Sequence, residues 1–134
     1  MARIMASGNQ MAAIREVMTE QLVTVEPSTF VAAAVTIMGM RRIGALLVME
    51  REHLEGIFTE RDVVRALSYD IGASAQPVAE WMTRNPITVG PETPVEQALE
   101  RMLAGNFRHL PVTEGEHVVG VVSIRDLSRA ALRE

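Results

Sequence analysis

Gly120-Val121-Val122-Ser123-Ile124-Arg125-Asp126 occurs once before in the chain, 64 positions earlier, as Gly56-Ile57-Phe58-Thr59-Glu60-Arg61-Asp62. Each copy reads as an apolar strand that passes through Ser or Thr into a helix, with an acid three residues on. The same offset aligns the flanking chain without a gap. Glu16/Glu80, Met18/Met82, Thr19/Thr83, Thr24/Thr88, Val25/Val89, Pro27/Pro91, Thr29/Thr93, Ala34/Ala98, Met38/Met102, Leu46/Leu110, Val48/Val112 and His53/His117 are identical pairs. A self-match of this length is the signature of a duplicated structural unit.

Each unit opens with a short helical turn (Ile14 to Met18; Val78 to Met82) and an extended Val-Thr-Val or Ile-Thr-Val step. Pro27-Ser28-Thr29 and Pro91-Glu92-Thr93 then predict helix starts. Val31, Ala34, Val35 and Met38, and Val95, Ala98, Leu99 and Met102, supply one buried face each, and Gly105 marks a helix stop. Two strands follow, Ala45–Met49 and Leu54–Phe58, then His109–Thr113 and His117–Val122, with Glu114-Gly115-Glu116 as a hairpin turn. A last helix begins at Thr59 or Ser123. The expected class is α+β, two βαββα units packed about a pseudo-two-fold axis, because about 60 residues bury too little surface alone. The expected boundaries are a leader at 1–13, a first unit with its connector at 14–76, and a second unit at 77–134.

Composition narrows the function. The chain has 134 residues, 48% hydrophobic and 22% charged, with net charge −4. It has no cysteine, so disulfide, thiolate-metal and thiol-nucleophile chemistry is excluded. All 13 basic residues are arginine, which removes the Walker lysine and Schiff-base chemistry. The acidic balance and few aromatics argue against nucleic acid as a partner, and no apolar run is long enough for a membrane span. A cytoplasmic protein is expected.

The Met-Thr step, the Pro-x-Thr helix start, Arg108-His109-Leu110-Pro111-Val112 and the two Gly-to-Asp endings resemble the CBS domain, present twice in register over about residues 14 to 132. The pattern is similar to a stand-alone tandem CBS pair, the Bateman module. That resemblance implies a non-enzymatic sensor, commonly a homodimer, that takes an adenosine-containing ligand (AMP, ADP, ATP, an NAD-type dinucleotide or S-adenosylmethionine) in clefts between units. An adenine nucleotide would then be a regulatory ligand rather than a catalytic cofactor, and a separate protein partner would receive the signal.

Two readings apply to the Gly-to-Asp ending. Thr59 with Asp62, and Ser123 with Asp126, form the spacing of a helix capping box, which needs no ligand. The same helix N-terminus can hold a phosphate on its unpaired N–H groups. Through the resemblance, Asp62 and Asp126 become ribose anchors, and Thr59, Arg61, Ser123 and Arg125 face phosphate. Arg108 and His109 join the phosphate side, since arginine's planar fork matches phosphate oxygens. Val23, Thr24, Thr29, Ala34, Ile43, Ile87, Thr88, Thr93, Ala98 and Phe107 are the adenine-side candidates, with Thr29, Ala34 and Ile43 implied for the site of Asp126 and Thr93, Ala98 and Phe107 for that of Asp62. The first unit carries Gly44 and Ala45 where the second has Arg108 and His109, so unequal sites are expected. No metal site is expected: one histidine per hairpin (His53, His117) is not a ligand cluster. Trp81, opposite Val17 in the repeat, is expected between units or at a dimer surface. The competing function is a constitutive dimeric scaffold without ligand response. A hydrolase reading lacks a nucleophile elbow or a magnesium-binding carboxylate cluster.

Overall fold

The computed structural model describes residues 12–132. In chain order these form β1 (Thr24–Val25), α1 (Val31–Arg41), β2 (Ala45–Glu50), β3 (His53–Thr59), α2 (Glu60–Tyr69), β4 (Thr83–Arg84), α3 (Val95–Gly105), β5 (His109–Glu114), β6 (His117–Ser123) and α4 (Ile124–Leu132), with 3-10 turns at Ile14–Glu16, Ile71–Ala75 and Val78–Glu80. The expected α+β duplication is therefore present. The leader expected at 1–13 lies outside the described residues as far as residue 11. Ala12 and Ala13 belong to the fold: the Ala12 carbonyl accepts the Val95 N–H at 2.9 Å, and Ala13 bridges Pro94.

The chain divides into two compact bodies that cut across the repeat. Val23–Pro86 is one; Ile87–Glu134 is the other, together with the segment that ends at Leu22. In the first body the sheet order is β1-β2-β3-β4, with β1 parallel to β2 and the other pairs antiparallel. The second body repeats that order around the β5–β6 hairpin: Val89 bridges Val112 in parallel, and Thr19 bridges Val121 antiparallel. The Met-Thr step that opens each repeat thus pairs with the hairpin of the other repeat.

Backbone bonds explain why the exchanged segments dock where they do. The Val78 N–H donates to the Thr29 carbonyl at 2.7 Å and Val31 to Gln76 at 2.8 Å; Ile14 donates to Thr93 at 2.8 Å. The helices start at Val31 and Val95, two residues beyond Thr29 and Thr93, and neither has a side-chain cap. The first N–H of each helix, an orphan by helix geometry, is satisfied instead by the Gln76 carbonyl for Val31 and the Ala12 carbonyl for Val95. Arg15 adds an exposed ion pair with Glu92 at 2.7 Å, whose hydrogen bond and charge raise the guanidinium above its ordinary value. Exposed pairs of this kind contribute little stability.

Two separate cores follow from the repeated apolar faces. Val31, Ala34, Met38, Leu46, Val48, Phe58 and Val78 fill one; Val95, Ala98, Met102, Leu110, Val112, Val122, Leu127 and Ile14 fill the other. The extended step at 87–89 is reduced to one bridge where β1 is a strand. Leu47 N–H donates to the Val23 carbonyl at 3.2 Å, whereas Pro111, its repeat equivalent, has no N–H to give.

Left-handed backbone recurs at matched places. Arg42 (φ 56°) and Asn106 (φ 59°) end α1 and α3, so the helix stop falls one residue after Gly105. Gly105 meets a different need, since a Cβ there would run into the Phe107 ring. In the hairpin turns the matched residues are Gly115 (φ 63°) and Arg51 (φ 58°). A non-glycine residue in this region costs roughly 1 kcal/mol. Arg51→Gly should therefore raise stability by about 1 kcal/mol, read as a higher denaturant midpoint with unchanged slope; no gain would mean the turn relaxes around glycine.

Candidate functional site

Both repeats build the same local frame. The carbonyl of Gly44 accepts the Glu60 N–H at 3.1 Å, and that of Arg108 accepts the Ile124 N–H at 2.8 Å. Each pre-strand residue therefore lies beside the N-terminus of the repeat's last helix. In the second repeat this places Arg108 and His109 at the head of α4, with Ser123, Arg125 and Asp126. In the first, the corresponding neighbours of Thr59, Arg61 and Asp62 are Gly44 and Ala45, so the basic side chains are missing.

The two carboxylates have different surroundings. Asp62 is 4% exposed. Its Oδ2 accepts from the Thr59 N–H at 2.9 Å and the Thr59 hydroxyl at 3.1 Å, while its own N–H donates to Thr59 Oγ1 at 3.3 Å. This is a complete capping box. Its Oδ1 accepts from Thr83 Oγ1 at 3.4 Å and Arg65 Nη2 at 3.5 Å. A carboxylate offers about four lone-pair sites, and the four donors around Asp62 take them. In the second repeat Ser123 Oγ accepts the Asp126 N–H at 3.1 Å. The half-buried Asp126 carboxylate accepts no bond among the described residues, and exposed Arg108 and Arg125 form no ion pair there. The Asp62 carboxylate is thus engaged from inside, whereas that of Asp126 takes no bond among the described residues.

The adenine-side candidates separate by burial. Ala34 and Ala98 are fully enclosed and belong to the two cores. Val23, Thr29, Ile43, Thr88, Thr93 and Phe107 are half-buried; Thr24 and Ile87 are exposed. Thr88 Oγ1 accepts from Thr113 Oγ1 at 3.4 Å. Thr24, Thr29 and Ile43 lie in the body that carries Asp62; Ile87, Thr88, Thr93 and Phe107 lie in the body that carries Asp126.

Trp81 packs against residues of the first repeat and its connector, as its mismatch with Val17 suggested. Its Nε1–H donates to Gln76 Oε1 at 2.8 Å, Tyr69 meets it edge-on at 5.9 Å, and the Arg65 guanidinium lies 5.4 Å over the ring. Arg65 and Thr83 were missed as contributors to the site. The signal was present in the repeat: Thr83 pairs with Thr19 and Arg65 with Arg129.

Comparison with known proteins fits this duplicated frame. The CBS domain model matches residues 14–69 and again 78–133. This chain belongs to the CBS domain family. An uncharacterized 17.7 kDa protein of Acidianus ambivalens is 38% identical over 122 residues, covering 89% of this chain and 73% of the relative. Among solved structures, the CBS domain pair of protein MJ0100 in complex with 5-methylthioadenosine and S-adenosyl-L-methionine superposes with TM-score 0.84 at 26% identity, covering 92% of this chain and 98% of that one. CBSX2 in complex with AMP superposes with TM-score 0.78 at 25% identity, covering 90% and 96%. The architecture is thus that of a CBS pair. No helix among the described residues is long and apolar enough to cross a membrane, and no cluster of three or more His, Asp or Glu suited to a metal occurs among them.

Proposed function

We propose that this CBS pair is a regulatory module that senses an adenosine-containing ligand, with the ribose and phosphate end held by the second repeat. The observation that carries the proposal is the Asp126 carboxylate beside the N-terminus of α4, which accepts no bond among the described residues, flanked by Arg108 and Arg125, which form no ion pair among them. Asp126 would accept the two hydroxyls of a ribose, as acids do in other nucleotide sites. Ser123, Arg125, Arg108 and His109 would receive phosphate, helped by the positive end of the helix. Ile87 and Thr88 of the same body are adenine-side candidates.

Two arginines favour an anionic ligand, so AMP, ADP or ATP fits better than S-adenosylmethionine. Relatives whose CBS pairs hold AMP or S-adenosylmethionine support the class of ligand. The module would act as a cytoplasmic homodimer on a separate protein partner, and ligand shifts its geometry only by binding two arrangements unequally.

A thermal-shift panel with AMP, ADP, ATP, NAD, NADH and S-adenosylmethionine tests this. Ligand at 100 times its Kd adds about 2.7 kcal/mol, and Asp126→Ala should erase that gain. A panel without response from protein freed of carried-over nucleotide would leave a constitutive scaffold, the reading that the closed Asp62 favours for the first repeat.

A further inference from the structure

The carboxylates of the two repeats differ although their motifs match, and the cause lies outside the motif. Thr19 and Arg129 stand where Thr83 and Arg65 stand in the other repeat, yet the Asp126 carboxylate takes a bond from neither. Among the residues that touch Arg65, position 81 differs between the repeats. Arg65 is held by the Trp81 carbonyl and stacked 5.4 Å over the Trp81 ring, which leaves the same Nη2 atom 3.5 Å from Asp62. Trp81 is itself fixed by Gln76 and Tyr69. Val17, its counterpart, has no ring to hold a guanidinium, and exposed Arg129 forms no ion pair among the described residues.

We propose that Trp81 and Arg65 latch Asp62 shut, so that the chain takes one adenosine ligand, at the second repeat, and none at the first. The latch rests on the reading that gives Asp126 the ribose. A ribose diol brings two donors and needs free lone pairs on its carboxylate. Asp62 already receives four donors, two from Thr59 and one each from Thr83 and Arg65. Trp81 is thus a positioning residue: it touches no ligand and acts through Arg65.

Calorimetric titration with AMP, ATP and S-adenosylmethionine as probes should give one equivalent per chain for the wild type. Trp81→Val, which copies the other repeat, should give two. Arg65→Gln should also give two, and it carries the test if Trp81→Val does not fold. Melting of the unliganded protein gives a second readout, in which Asp62→Asn lowers Tm by several degrees and Asp126→Asn leaves it unchanged. Two equivalents in the wild type, one equivalent in both latch variants, or equal Tm loss from the two Asn substitutions would each overturn the latch. Binding seen only when the latch is broken would uphold it and overturn the assignment of Asp126. Absence of binding in the wild type and in both variants would overturn both.

Discussion

Gly56→Ala should lower Tm by on the order of 10 °C, far more than the single methyl group suggests. A Cβ at Gly56 would lie 2.6 Å from the Thr83 carbonyl oxygen and 2.8 Å from Met82 Sδ. The thioether can swing away, but the carbonyl belongs to the strand that pairs with β3, so the sheet edge must move. Overpacking of this kind costs about 1–3 kcal/mol or more, against a gain below about 1 kcal/mol from restricting the unfolded chain. Gly120→Ala is the internal control. There the tightest atom is Met18 Sδ at 2.6 Å, and the Thr19 carbonyl stands off at 3.0 Å. It should cost less than half as much, because the flexible side chain yields first. Equal losses would show that the methionines, not the strand carbonyls, set the limit.

The contrast also explains the repeat. Gly56/Gly120, Met18/Met82 and Thr19/Thr83 are identical pairs because they make one contact, a Met-Thr step laid across a bare glycine. That the six residues recur was readable from the sequence. Which Met-Thr step meets which glycine was not, since a pattern that repeats by pure translation is satisfied equally by a segment folding on its own hairpin or on the other. Only the exchanged pairing of Thr83 with Ile57 and of Thr19 with Val121 decides it.

The site was legible to a similar depth. Asp62 and Asp126 sit in matching motifs, and the sequence shows the same helix start at both. The missing basic pair at Gly44 and Ala45 announced inequality, but as a loss of phosphate contacts. The larger difference is that Asp62 is saturated from inside by Thr59, Thr83 and Arg65. The Arg65 part of it is held by Trp81, some twenty positions along the chain, which grips a guanidinium on the helix that carries Asp62. Pro111 is a parallel case: its missing N–H weakens a strand at 87–89 that its own segment does not contain. Motifs report local backbone needs, and these two differences are imposed by partners distant in sequence.

The exchange makes its own prediction, with an effect of similar size. Ile14 lies close to the start of the chain, where substitution ordinarily costs little, yet it is fully enclosed. It packs in the core with Val95, Met102, Leu110, Val122 and Leu127, all from the second repeat. Ile14→Ala should therefore cost about 2–5 kcal/mol, the range for truncating a buried aliphatic side chain. The location of the loss discriminates more sharply than its size. Hydrogen exchange should quicken across β5, β6 and α3, while β2, β3 and α1 keep more of their protection. Val78→Ala should do the reverse, since Val78 fills the core of Val31, Met38, Leu46 and Phe58. If Ile14→Ala instead exposed the amides of β2 and β3 first, the opening segment would belong to its own repeat. The latch on Asp62 would then lose its foundation too, because Thr83 reaches Asp62 only as part of an exchanged strand.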